Sequence, residues 1–253
     1  MSLFSKEIKN NNKNFINAMF IKNIDNIKNL EIECNTKVKI IQYNNRNDIE
    51  ISSNKAVNIR NYFNVEVDKS KEIIKIKEIE FSFTKKDKNE TITIAIPADL
   101  NKLKIQSYNI IDIGLISINK LKTINSKIVY INKISNKRDL EIISENVSGL
   151  IIKEICHLKN SDKKVNIDLK NTNILIKTLS IEKIDVSLYG NSSIKIKNES
   201  NVKEAIVSIF GSSFIEMKNL TGDYFYLNFL NSYEDYKRSK YSIGDFKNLK
   251  KAI

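Results

Sequence analysis

Tryptophan is absent from this chain, and in 253 residues there are only one histidine, one proline, two cysteines and six glycines. Each scarcity excludes something. Cys34 and Cys156 lie far apart with no CxxC partner, so a zinc ribbon or redox motif is unsupported, and buried free thiols are expected. No glycine-rich phosphate loop occurs. No run approaches the ~20 apolar residues of a membrane-spanning helix, and the polar start MSLFSKEIKNNNK lacks the apolar core of a signal peptide. As written the chain reads as cytoplasmic, or as extracytoplasmic if a leader has been removed. Long Ala/Leu/Glu-rich stretches, which helices prefer, are missing too.

Isoleucine is abundant instead, with 45 copies. It is a β-branched residue that suits pleated surfaces. The formal net charge is +12, but only Arg46, Arg60, Arg138 and Arg238 are arginines. The remaining basic residues are lysines, scattered along the chain. Arginine makes the bidentate contacts on which specific nucleic-acid readers depend. A solvated lysine-rich exterior is therefore expected, with no specific nucleic-acid partner. Lysines along exposed strands also discourage edge-to-edge association.

Residues 1–20 are polar, with Phe4, Ile8, Phe15 and Phe20 too loosely spaced for a helix. From residue 21 the apolar period becomes two, as in Leu30-Glu31-Ile32-Glu33-Cys34, Ile49-Glu50-Ile51 and Ile74-Lys75-Ile76-Lys77, which predicts strands with one buried and one wet face. Ile92-Thr93-Ile94-Ala95-Ile96 stops at Pro97, where a strand must end. Beyond it short apolar-x-apolar strands recur about every twenty residues, at Leu103, Ile124 with Ile128, Leu140, Ile167, Val186, Val207 and Tyr226. Val186-Ser-Leu-Tyr-Gly190-Asn-Ser-Ser-Ile194 matches Val207-Ser-Ile-Phe-Gly211-Ser-Ser-Phe-Ile215 at an offset of 21. This is an internal repeat. Its period suits one coil of a parallel β-helix, with Gly190 and Gly211 turning corners at positive φ. The predicted fold is all-β, a single-stranded parallel β-helix with coils of about 20 residues, stacking ~4.8 Å apart. Residues 21–230 form the solenoid, and 231–253 form an aromatic, basic cap or tail.

The paired Val-Ser-(Leu/Ile)-(Tyr/Phe)-Gly-(Asn/Ser)-Ser stretches resemble the repeats of the bacterial auto-transporter adhesin head (GIN-like) domain and related adhesin β-solenoids. The stretch Ile92 to Pro97, followed by Leu100 and Leu103-Lys104-Ile105, is similar to their strand, proline and Leu-x-x-Leu entry into the coils. The resemblance implies a right-handed solenoid of unsettled function, often exported or membrane-tethered, and it brings no catalytic residues. The chain departs from that pattern in showing no leader or anchor. It is also poor in glycine, so most corners fall to Asn, Ser and Lys.

Candidate chemistry is thin. Cys156 and His157 are neighbours, but adjacent strand residues point to opposite faces, so they do not read as a nucleophile and its base. Glu31 with Glu33, and Glu78 with Glu80, place carboxylates on one strand face as an acid–base pair requires, yet Glu-x-Glu among lysines also describes a solvated face. Asp112, Asp168, Asp185 and Glu216 are candidates to line a groove along the coils. Tyr224, Phe225, Tyr226, Phe229, Tyr233, Tyr236, Tyr241 and Phe246, interleaved with Lys237, Arg238, Lys240, Lys247, Lys250 and Lys251, form either a cap over the last coil or a stacking platform. No catalytic, cofactor-binding or metal-binding residue is assigned. The reading is a non-enzymatic structural or interaction module whose partners are further copies of itself stacked end to end, another protein or a glycan. A carbohydrate-binding or carbohydrate-active β-helix is the alternative.

Overall fold

A strand that alternates isoleucine with lysine or glutamate has one apolar face, and a short one cannot bury it alone. Stacking coil on coil solves that problem, and it is the architecture of the computed structural model. The structure describes residues 3–8, 16–22, 24, 27–43, 47–54, 59–79, 91–98, 100–136, 138–157, 163–230 and 237–252, of which 3–8, 16, 17, 136 and 157 are described by backbone alone. Among the described residues no helix is long and apolar enough to cross a membrane.

Eight strands make the N-terminal part: β1 (Leu3–Ile8), β2 (Ile16–Ile21), β3 (Asn29–Cys34), β4 (Lys37–Tyr43), β5 (Ile49–Ser53), β6 (Phe63–Asp68), β7 (Ile73–Glu78) and β8 (Thr91–Pro97). Fifteen follow. Eight of them stack on side 1 of the solenoid: β9 (Lys102–Ser107), β11 (Lys120–Ile124), β13 (Leu140–Glu145), β15 (Lys164–Lys170), β17 (Lys183–Tyr189), β19 (Ser200–Phe210), β21 (Leu220–Phe229) and β23 (Phe246–Ala252). Side 2 is built from β10 (Ile110–Ile116), β12 (Ile128–Asn136), β14 (Gly149–His157), β16 (Asn173–Ser180), β18 (Ser193–Ile196), β20 (Phe214–Met217) and β22 (Lys240–Ile243). All these pairings are parallel. The strands of side 2 bend at Gly114, Asn132, Lys153 and Lys177, where pairing skips one residue, and their far ends form a shorter third side that continues through Ser180, Asn201 and Thr221.

Seven coils follow in chain order from β9 to β22, spaced at roughly 21 residues. The sequence repeat stacks on itself: Val186 pairs with Val207, Ser187 with Ser208, Leu188 with Ile209 and Tyr189 with Phe210. The expected repeat is therefore a direct neighbour in space. Ile124 and Ile128, in contrast, belong to two different strands, and both face outward on either side of a corner.

The corners follow one rule. Asn125, Asn146, Asn171 and Gly190 have φ of 46°, 53°, 48° and 63°, and Gly211 has 154°. Asn is the side-chain-bearing residue that tolerates the left-handed region best, so it supplies the corners where glycine is absent. The asparagines also bond to one another, Asn146 Nδ2 donating to Asn125 Oδ1 at 3.2 Å and Asn171 Nδ2 to Asn146 Oδ1 at 3.3 Å. Just inside the corner a buried hydroxyl from one coil accepts a backbone N–H from the coil before it. Ser126 accepts from Ser107, Thr172 from Val147, Ser192 from Thr172 and Ser239 from Ser213, at 3.1 to 3.4 Å. A Cβ on Gly211 would lie 2.8 Å from the backbone oxygen of Gly190, whereas one on Gly190 would meet only the Asn171 side chain. Gly190→Val is expected to cost about 1–2 kcal/mol, and Gly190→Asn less, because Asn171 already holds that conformation one coil earlier. Equal melting temperatures for the two variants would show that φ is not the constraint there.

The N-terminal end departs from chain order. β3 and β4 pair with β7 and β8 on one flank and with β9 and β10 on the other, so the earliest coil is inserted between two later ones. Gln42, in β4, ties this crossing together. Its Nε2 donates to the carbonyls of Pro97, Ala98 and Ser117, and its Oε1 accepts from the Ser117 N–H at 2.7 Å. Beyond β7 and β8 the parallel ladder stops. β6 runs antiparallel to β7, while β5, β2 and β1 add antiparallel strands to β8, giving that end a cover of different geometry. A single core of buried Ile, Leu and Val runs from Met19 to Phe229.

Candidate interaction surface

The outward positions of the coils decide what the molecule can touch. On several of them a lysine meets a carboxylate one coil away: Lys104–Glu31 at 3.2 Å, Lys77–Glu33 at 3.4 Å, Lys120–Glu141 at 2.6 Å, Lys133–Glu154 at 2.7 Å, Lys164–Asp185 at 2.8 Å and Lys195–Glu216 at 2.8 Å. Such pairs are exposed and individually weak, but they leave these carboxylates held by cations. The Lys133 hydrogen bond keeps Glu154 below the ordinary glutamate range and, reciprocally, Lys133 above the ordinary lysine range.

The sequence candidates are dispersed by this arrangement. Glu31 and Glu33 stand on the solvated exterior of side 1, each paired with a lysine. Glu78 does not: it is 4% exposed and accepts from the backbone N–H groups of Asn35 and Thr36 and, at 2.5 Å, from the Thr36 hydroxyl. The solvated-face reading fails for that residue, whose carboxylate closes a corner. Glu80 lies outside the described residues. Asp168 and Asp185 come to adjacent coils of side 1, whereas Asp112 and Glu216 lie on side 2, separated by several coils. Burial pushes the Asp168 carboxyl above the ordinary aspartate range; a Ser187 hydrogen bond opposes this and the Glu141 and Asp185 charges add to it. Cys156 is half-buried on the third side between Ser135 and Ser180, Cys34 is buried beside the Ser107 hydroxyl, and neither is in a disulfide. His157 ends β14. Among the described residues no three His, Cys, Asp or Glu side chains gather as metal ligands would.

The C-terminal aromatics divide. Phe225 and Phe229 are core residues, and Phe246 and Tyr241 pack against them with ring centroids 4.9 and 6.1 Å apart. Tyr224 and Tyr226 face outward on side 1, and Tyr189 stacks on Phe210 of the next coil at 4.5 Å. Tyr233 and Tyr236 lie outside the described residues.

One surface differs from the ion-paired exterior. On side 2, Tyr130, Ile151 and Leu175 occupy the same outward position on three consecutive coils. Ile110 and Ile128 lie beside them in the next column, followed by Gly149, where an added Cβ would meet nothing within 4 Å. A shallow depression of about 460 Å³ lies here, lined by Ile110, Tyr130, Ile151, Lys37, Lys153 and Lys177 among others. Beside the apolar column runs a column of lysines. Ile152, Ile176, Ile196 and Met217 face the core in the same position of successive coils, and each is followed at the bend by Lys153, Lys177, Lys197 or Lys218. None of these four lysines makes an ion pair among the described residues. Sequence reading missed this strip because coils of unequal length hide the column; the recurring apolar–lysine pair was the only signal.

No protein-family model matches the chain, and no curated protein matches it in sequence. Solved structures do match in fold. A protein from Parabacteroides distasonis named a "putative lipid binding protein" superposes with a TM-score of 0.49 at 13% identity, over 96% of this chain and 98% of that one. A "putative adhesin" from Bacteroides fragilis superposes with a TM-score of 0.56 at 15% identity, over 94% of this chain and 97% of that one. The chain thus shares, across nearly its whole length, the β-solenoid fold of that protein.

Proposed function

We propose that the chain is a non-enzymatic interaction module that works through the apolar, lysine-edged strip of side 2. One observation carries this reading. Over three consecutive coils the strip sets Tyr130, Ile151 and Leu175 in the same outward position of a rigid sheet, with a column of lysines beside them. Adjacent outward apolar side chains of this kind mark interaction sites more often than chance exposure. Tyr130, 39% exposed, offers the amphipathic surface that binding sites favour. The partner is a protein or a glycan, and the name of the Bacteroides fragilis protein is in keeping with a surface-binding role. The labelled chain and the variant Ile151→Glu/Leu175→Glu should be compared for retention on intact bacterial envelopes. Both changes are on the exterior, so melting should be little altered while retention falls at least several-fold. Equal retention of the two proteins, or retention of neither, overturns the assignment.

Self-association through the C-terminal end is a second reading, favoured by the outer coil. Leu249 occupies the core-facing position next to Phe225 but is 48% exposed, and among the described residues nothing pairs with the outer edge of β23. A mass that rises with concentration supports stacking through this end, and a constant monomer mass overturns it.

A further inference from the structure

Four like charges stacked in register repel one another, and an ordinary exterior relieves such repulsion with alternating carboxylates. On side 1 two lysines also stack, Lys102 on Lys120 and Lys104 on Lys122, but a carboxylate follows within a coil, Glu141 beside Lys120 and Glu31 beside Lys104. At the bend of side 2 no carboxylate stands in the column from Lys153 through Lys218, the charge of Glu154 beside Lys153 being held chiefly by Lys133, and Asn132 and Gly114 hold the same position in the two preceding coils and Gly244 in the one that follows. We propose that this lysine column binds a linear acidic polysaccharide laid along the solenoid axis, with its sugar rings against Tyr130, Ile151 and Leu175. This rests on the reading of side 2 as the working surface and names its ligand.

Several features select this ligand over other anions. The column is single-file and parallel to the axis, one cation per coil at ~4.8 Å, which suits a thread of charges rather than a plane of lipid headgroups. A nucleic-acid strand in duplex carries a charge every ~3.4 Å and falls out of step within a few coils. All four cations are lysines, point charges that need no bidentate geometry, whereas phosphate recognition favours the arginine fork. The apolar column beside them offers Tyr130 and branched side chains to the C–H faces of pyranose rings, and the open space over Gly149 leaves room for a ring substituent.

The full-length chain can be titrated with polygalacturonate, a polymer carrying one carboxylate per sugar, with dextran as the uncharged comparison. The wild type should bind polygalacturonate and not dextran, with affinity falling as salt rises. Lys177→Ala/Lys197→Ala should weaken binding on the order of tenfold and lower the salt slope by about two, one for each lost contact. Lys102→Ala/Lys122→Ala removes equal charge from side 1 and should leave binding within about twofold of wild type, as expected for lysines outside the contact. The first variant should also melt no lower than wild type at low salt, because it relieves repulsion. Equal weakening by both variants overturns the column in favour of diffuse attraction. Tighter binding to single-stranded DNA or to phosphatidylglycerol vesicles overturns the polymer class. If polygalacturonate fails to bind while envelope retention persists and is still lost in Ile151→Glu/Leu175→Glu, the ligand falls and the side 2 reading stands.

Discussion

Replacing Glu78 with alanine is expected to lower the stability of the chain by about 3–5 kcal/mol, a large part of a domain's usual margin. The carboxylate accepts from two backbone N–H groups and one hydroxyl at the buried turn between β3 and β4. Hydrogen bonds to a charged acceptor are each worth more than neutral ones, and removing the acceptor leaves buried donors without it. The geometry also explains why a glutamate stands there. In later coils a serine or threonine of the following coil accepts the corner N–H, as Ser126 does for Ser107. The β3–β4 coil is inserted out of order, and β7 flanks it on its N-terminal side. The acceptor there comes from the end of β7, and a side chain as long as glutamate reaches two N–H groups at once. Glu78→Gln keeps one acceptor oxygen and should lose less than half as much. Chemical denaturation of the three proteins measures the difference. An alanine variant within 1 kcal/mol of wild type would remove the carboxylate from the corner.

The same residue shows where sequence reading reaches and where it stops. Glu78 is in step with Ile74 and Ile76 on the buried face of β7, a phase masked by the lysines and glutamates around it, and nothing local records that its strand ends at a corner with donors to satisfy. The repeat at Val186 and Val207 was legible because both copies occupy equivalent coils, so the core asks for the same side-chain sizes at the same steps. Gly190 and Gly211 were legible for a related reason: the corner demands positive φ in each copy, and the structure has φ of 63° and 154° there. The insertion of β3 and β4 between later strands was not legible. Leu30-Glu31-Ile32 has one apolar face whichever coil it lies against, so alternation fixes which side is buried and leaves the neighbour open. The lysine column was hidden by spacing, since the coil lengths separating Lys153, Lys177, Lys197 and Lys218 are unequal. Only the stacked register brings them into line.

Deleting everything after Asn231 is expected to have the largest effect of all. It removes β22 and β23, so β20 and β21 lose their outer partners, and Phe225, Leu227 and Phe229 become the inner face of an open end. Phe246 now lies edge-on against Phe225, in space left by Gly222, and Tyr241 leans on Phe229. Returning three such side chains to water costs roughly 1.5–3 kcal/mol each. The sum rivals the total stability of an ordinary domain, although some is offset because two strands no longer need ordering. The intact end is protected in part, at Lys251, while Leu249 stays exposed. Lys251 takes the core-facing position beside Leu227, its ammonium 4.7 Å from the Tyr241 ring centroid, and an inward-facing charge at an edge discourages further strands from adding. Truncation removes that charge together with the cover. Coils interact chiefly with their neighbours, so the loss should fray the last one or two coils rather than unfold the whole rod at once. Hydrogen exchange should therefore show protection lost first along β19 to β21, with the coils of β9 to β15 still slow. Light scattering should show association through the uncovered apolar edge. A truncated chain that stays monomeric, and whose β19 to β21 amides exchange as slowly as in the intact protein, would show that β22 and β23 cover nothing the core needs.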